Sequence, residues 1–329
     1  MKIIDIHSHC YPREFVNKVL SLGPPFEVGR DAKGRKNIFF KGARVWTITD
    51  EMGDVEGRIE ALEKFGICHQ VLSAASPFSF YLPEQGAYDL VRSVNDALCD
   101  LCDRYSRHFS AIACLPLTSV DNSLKELERA IDKLNIKGVI IGTNVCGKPL
   151  DSEEFVPLFE EFNRRRIPVF LHPVTPPEVG LLKDYSLLSL VGFMFETTLA
   201  VSRMVLSGLF DRFSNLMMVL AHMGGTILHL WERIERRHGV FPDAAKVISF
   251  PPSHYFKMFY FDVTCYDEIS LQAAVERVGP ERLLFGTDFP HPIGNLKRTR
   301  EIYDRVDWDE ETKQGVFFDN ARTLYSLSI

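Results

Sequence analysis

Eight short runs of apolar and β-branched residues recur along this chain, and longer amphipathic helical patterns separate them. No other feature restricts the fold as much, because regular alternation of strand and helix signals points to a parallel sheet covered by helices. The runs fall at 3–7, 69–73, 110–114, 138–142, 169–172, 217–222, 260–264 and 283–288. Most are almost continuously apolar, as strands buried on both faces should be. Helical patterns occupy 55–65, 123–134, 154–165, 226–238 and 270–278, with Gly66, Gly138, Pro168 and Gly279-Pro280 where helix hands over to strand. A strand-helix pair repeating roughly every 35 residues predicts a (β/α)8 TIM barrel, with 1–329 forming a single domain. A doubly wound open sheet is the weaker alternative, because no Gly-x-Gly-x-x-Gly opens a helix after any run.

Two connections exceed the usual loop length. The segment 10–53 separates the first strand from its helix and carries a predicted hairpin at 37–40 and 44–48. The segment 175–216, after the fifth strand, has room for one or two extra helices. In a barrel both lie on the face that carries active sites, so both are expected to act as lids or pocket walls.

Composition narrows the class of function. The net charge of −6 and the shortness of basic runs such as Arg164-Arg165-Arg166 argue against nucleic acid or an anionic membrane as partner. Seven scattered cysteines form no disulfide framework and fit a reducing cytoplasm. Cys99 and Cys102 sit inside a helical pattern that begins near Gly86, where half-buried helix positions explain them better than redox chemistry. Asp5 and His7 interrupt any N-terminal apolar leader. The most apolar region, 187–210, contains Glu196 and Arg203 and reads as a buried helix rather than a membrane span. The expectation is a soluble, cytoplasmic protein.

The chemistry gathers at the strand ends. His7 and His9 close the first run, and residues two apart on a strand share a face, so both imidazoles can address one ion. His-x-His alone is weak evidence. Its position sharpens it, because His172, His222 and Asp288 close three further runs, and barrel active sites assemble at carboxyl strand ends. Buried ionisable groups there are costly unless paired or bound to metal. Imidazoles with a carboxylate and room for water suit Zn²⁺ best, with Mn²⁺, Fe²⁺ or Co²⁺ as alternatives.

These residues, with their flanks, resemble the amidohydrolase superfamily, in the branch of aminocarboxymuconate-semialdehyde decarboxylase and related non-oxidative decarboxylases. The resemblance runs nearly the full length. It rests on Asp5-Ile6-His7-Ser8-His9, 138–142, Leu171-His172-Pro173, Glu196-Thr197-Thr198, Ala221-His222-Met223-Gly224-Gly225 and Phe285-Gly286-Thr287-Asp288-Phe289-Pro290. It implies one divalent metal held by His7, His9, His172 and Asp288, with His222 as acid/base residue beside it and Asp288 serving catalysis as well as the ion. The fourth run ends without a lysine, so no carbamylated-lysine bridge is expected and the site should be mononuclear. The resemblance also implies a homodimer.

Departures from that pattern bear on the substrate. Where the muconate-semialdehyde decarboxylases grip carboxylates with two arginines, this chain aligns Trp46 and Phe241, with Arg44 placed to substitute from the same hairpin. His291 stands where relatives carry an aromatic. Arg44, Trp46, Phe195 and His291 are therefore the expected substrate-binding residues, for a small carboxylate less acidic or more aromatic than the muconate. Glu196 is expected either to support the site or simply to begin a helix, and His229 to occupy a packed or surface helix position. The function so implied is non-oxidative decarboxylation of an aromatic or unsaturated carboxylate. Hydrolysis of a C–C, ester or amide bond, or hydration, would use the same residues, and a barrel retained only for binding is the remaining possibility.

Overall fold

In the computed structural model, residues 2–75, 78–241, 247–264 and 267–329 are described. The eight expected runs form the barrel strands β1 (Ile3–His9), β2 (Ile67–Ser73), β3 (Phe109–Ala111, resumed at Ala113–Cys114), β4 (Val139–Gly142), β5 (Pro168–His172), β6 (Met217–Leu220), β7 (Tyr260–Asp262) and β8 (Leu283–Leu284). Every pairing between neighbouring strands is parallel. Side chains such as Ile4, Val71, Val169, Val219 and Phe261 are wholly buried, because the barrel interior covers one face and the helices the other.

Regular ladders divide the wall into two arcs, β1-β2-β3 and β3-β4-β5-β6-β7-β8. The arcs share β3, whose pairing is interrupted at Ile112. At the other seam the β1 amides of Ile6 and His9 donate to Phe285 and Phe289 carbonyls at 3.0 and 2.7 Å, and the Asp288 amide donates to the His7 carbonyl at 2.8 Å. That seam lets the last strand's extension present Asp288 beside His7 and His9. Gly286 makes the approach possible: a Cβ there would lie 2.8 Å from the His7 Cβ.

The helices follow their patterns closely, as at Val55–Lys64, Val120–Asp132, Val156–Arg165, Ile227–Val240 and Glu268–Val278. Asp54 and Asp267 cap two of them by accepting from the amides of Gly57 and Ser270. Cys99 and Cys102 lie within the helix Glu84–Arg104.

Both long connections rise over the carboxyl mouth. The first adds a helix, Arg13–Leu20, and a strand, Phe26–Arg30, to the expected hairpin, making a three-stranded antiparallel sheet with Lys36–Phe40 and Ala43–Thr47. The second continues into the helix Phe193–Leu206. The two segments touch: Lys41 Nζ donates to the Pro177 carbonyl at 2.8 Å and Arg44 Nη2 to Ser186 Oγ at 2.5 Å.

The apolar stretch near 187–210 is not the buried helix its composition predicts. Asp184–Leu206 is long and apolar enough to cross a membrane, yet only 33% of its most apolar window is buried. Thr197, Ala200, Val201 and Met204 pack inward, whereas Leu190, Phe195 and Leu199 are exposed. Its apolarity serves two surfaces, the barrel wall and a cavity lined by Leu190, Phe193 and Met194.

Candidate active site

His7 and His9 share one face of β1, their Nε2 atoms converging, and each ring meets a different neighbour. Register pairs His9 with Ser73, so His9 Nδ1 lies 2.9 Å from Ser73 Oγ, which in turn donates to the Ser8 carbonyl. The hydroxyl proton is thus committed, and Ser73 must accept from His9 Nδ1–H. His7 Nδ1 bonds the Asp262 carboxylate at the end of β7. His172 Nδ1 lies 3.0 Å from the Pro173 carbonyl, a pure acceptor. Each ring therefore holds its proton on Nδ1 and turns Nε2 inward.

Those three Nε2 atoms and Asp288 converge. One ligand atom from each of His7, His9, His172 and Asp288 lies within 4.8 Å of the others. His7 Nε2 and His9 Nε2 approach to 3.2 Å, and Asp288 Oδ1 lies 3.4 and 3.2 Å from them. His172 Nε2 and Asp288 Oδ1 are buried without hydrogen-bond partners among the described residues. Inward-facing nitrogens crowded against a carboxylate oxygen are what a cation resolves, and three imidazoles plus a carboxylate form a donor set for a divalent metal. The residues fit the ion.

Two of the five strand-end residues lie beyond regular strand. β6 stops at Leu220 and β8 at Leu284, and His222 and Asp288 adopt left-handed conformations with φ of 52° and 60°. Such backbone is unfavourable for side chains other than glycine, Asn and Asp, and it turns both groups into the mouth. His222 Nε2 lies 3.7 Å from Asp288 Oδ2, and its ring sits 4.8 and 5.3 Å from those of His7 and His172.

Burial and charge shape the titration. Burial opposes charging His7, but the Asp262 and Asp288 carboxylates on either side raise it to about 10. Burial lowers His9 to about 3 and His172 well below the usual histidine range. Despite burial, the surrounding histidines, His222 and His7 foremost, hold Asp288 well below the usual carboxylate range. Without metal, His7 thus carries the cluster's one extra proton, and an ion must displace it. Near neutrality, binding is expected to release about one proton, so affinity rises about tenfold per pH unit until pH approaches 10. Calorimetric titration of the metal-free protein in buffers of different ionisation enthalpy counts that proton; none released would refute the assignment.

Two carboxylates that the sequence reading did not single out organise this centre. Asp262 orients His7 and accepts from the amides of Met223 and Thr264. Asp262→Asn is expected to weaken metal binding by about 10- to 100-fold through loss of that charged partner. Competition with a chromogenic chelator measures it, and unchanged affinity would show that His7 needs no orienting carboxylate. Asp5, raised by burial to about 6, accepts from Gln70 Nε2, Thr287 Oγ1 and two backbone amides, tying β1 to the approach to Asp288. The available signal was a carboxylate inside each apolar run, which is costly to bury without partners.

A cavity of about 900 Å³ opens from the cluster, lined in part by Tyr11, Trp46, Phe193, His222, Asp288 and His291. Arg44 lines it too, half-buried, so Arg44, Trp46 and His291 reach the same space. Phe195 does not: it is 57% exposed, because the helix turns about 100° per residue and presents Phe193 and Met194 to the cavity instead. Phe241 also stands apart from the lining, with the Arg237 guanidinium 3.7 Å from its ring centre. His229 is an exposed helix residue, as expected, at the cavity wall. Glu196 lies in the first turn of the helix Phe193–Leu206 and accepts from Asn144 Nδ2 at 2.8 Å, bracing the loop after β4.

Fold and site together define a metal-dependent enzyme of the (β/α)8 class. The chain belongs to the amidohydrolase family, whose profile matches residues 62–327. It is 31% identical to a 2-amino-3-carboxymuconate-6-semialdehyde decarboxylase of Dictyostelium discoideum, over 98% of this chain and 91% of that one. It is 28% identical to a gamma-resorcylate decarboxylase of Rhodococcus jostii, over 82% of this chain and 87% of the relative. The fold matches a dihydroxybenzoic acid decarboxylase from a Polaromonas species, crystallised with manganese and the inhibitor 2-nitroresorcinol. That match has a TM-score of 0.85 and 22% identity, covering 100% of this chain and 98% of that one.

Proposed function

We infer that this protein is a metal-dependent non-oxidative decarboxylase of an aromatic or unsaturated carboxylate. The observation that carries the reading is the convergence of three inward Nε2 atoms and Asp288 at the floor of a largely apolar cavity. The reactions of the two sequence relatives support it, since both remove a carboxylate.

His7, His9, His172 and Asp288 hold the ion, which supplies a positive charge that binds substrate oxygen and offsets charge developing as the C–C bond breaks. The donor set favours Zn²⁺, and manganese in the Polaromonas enzyme makes Mn²⁺ the first alternative. Trp46 and Phe193 offer ring faces to a planar substrate. Arg44, whose described side-chain hydrogen bond is to Ser186, supplies a cation for a second anionic substituent. His222 delivers the proton that replaces CO₂: the carbon bearing the carboxylate gains H⁺, the C–C bond breaks, and its electron pair restores the unsaturated system.

The test incubates metal-loaded protein with carboxylated phenols, heteroaromatics and ring-fission muconates, reading product masses. Loss of CO₂ from any member supports the decarboxylase. Gain of water, or two fragments summing to substrate plus water, would overturn it in favour of a hydratase or hydrolase.

A further inference from the structure

We propose that Tyr11 and His291 act as one hydrogen-bonding unit that selects ring substrates carrying a second oxygen substituent beside the carboxylate. This deepens the decarboxylase reading and rests on it. Tyr11 follows β1 and His291 follows Asp288, so the seam that closes the barrel also brings together residues 280 positions apart. Tyr11 Oη and His291 Nε2 are 3.0 Å apart, and both residues line the cavity. Tyr11 is 3% exposed and packed against Trp46, with ring centres 4.7 Å apart. A buried phenol needs a partner, and here the partner is a second adaptable polar group rather than a backbone carbonyl.

The pair occupies one side of the metal cluster. The His291 ring stands edge-on to His9 at 4.9 Å, and the Tyr11 ring stacks at 6.0 Å from it. His222 leans instead on His7 and His172. A ring whose carboxylate lies over the cluster therefore has His222 towards one edge and the Tyr11–His291 pair towards another. Among the described residues the side-chain hydrogen bond of His291 is the one between Nε2 and Tyr11 Oη, which leaves Nδ1 for a substrate. If Tyr11 donates to Nε2, Nδ1–H is a donor; if Nε2–H donates to Tyr11, Nδ1 is an acceptor. As a donor Nδ1–H matches a hydroxyl or carbonyl oxygen on the substrate, and as an acceptor Nδ1 matches a hydroxyl. In a cavity walled by Trp46, Phe193 and Met194, such a contact discriminates strongly, because a substrate lacking the oxygen leaves His291 unpaired.

The probes are 2-nitroresorcinol and 2-nitrophenol, which differ by one ring hydroxyl, titrated into Mn²⁺-loaded protein. Wild type should bind the resorcinol about tenfold or more tightly than the phenol. His291→Phe should reduce that ratio to about twofold while leaving 2-nitrophenol affinity and metal content unchanged. Tyr11→Phe, which keeps the packed ring and removes only the hydroxyl, should reduce the ratio in the same direction. A ratio unchanged in both variants would assign the pair a purely structural role and overturn the proposal. Equal affinities in wild type, or binding of neither probe, would overturn it as well. CO₂ release in the substrate screen then tells whether the decarboxylase reading falls with it or stands alone.

Discussion

Asp288→Asn should yield a folded protein that retains no divalent metal after dialysis and whose turnover falls by at least about 10³-fold. The substitution keeps the shape and removes the charge. In the native site Oδ1 faces His7 Nε2 and His9 Nε2 at 3.4 and 3.2 Å, and Oδ2 faces His222 at 3.7 Å. An asparagine amide offers either a neutral oxygen, a much weaker ligand for a divalent cation, or N–H donors that an ion would repel. Three neutral imidazoles would remain, without the anion that balances the ion's charge in a buried setting. Elemental analysis of the dialysed protein, alongside activity with excess metal, measures both effects. Retention of a full equivalent of metal by the variant would remove Asp288 from the ligand set. His172→Ala should behave similarly, since its buried Nε2 has no partner among the described residues.

His222→Ala should separate binding from chemistry, keeping the metal and lowering turnover by about 10²- to 10⁴-fold, the range expected for loss of a general acid/base group. His222 lines the cavity and touches the ligand set only at its edge. Its Nδ1 is buried and makes no hydrogen bond among the described residues. That ring has no oxygen on Nδ1 to pin its tautomer, unlike the three that face the ion, which are held by a carboxylate, a hydroxyl and a carbonyl. A histidine free to exchange its proton is suited to transfer, whereas a pinned one is suited to ligation. A His222→Ala protein that loses metal and activity together would overturn this division of roles.

Much of this was legible in the residues alone. Continuous apolar runs such as Val169–Leu171 require strands covered on both faces, and their alternation with helical patterns leads to the barrel. The two-residue spacing of His7 and His9 places them on one face, as the period of any strand demands. Strand-end positions also identified His172, His222 and Asp288, although the last two reach the mouth through left-handed backbone rather than strand. Helix faces proved less legible. Phe195, expected among the substrate-binding residues, lies outside the cavity lining: the helix is apolar around most of its circumference, so periodicity carried no record of which side faced the cavity.

The sequence by itself determined which faces exist: the strand period, the helix period and the residues that share each face. Only the tertiary structure decided which faces meet. His7 with Asp262, Tyr11 with His291, Asp5 with Thr287, and Arg44 with Ser186 are partners separated by 142 to 282 residues. Periodicity is local and arises from backbone geometry within one element. These contacts depend on strand register and on closure of the barrel through the β1–β8 seam, where a one-residue slip of β1 would turn His7 and His9 to the other face.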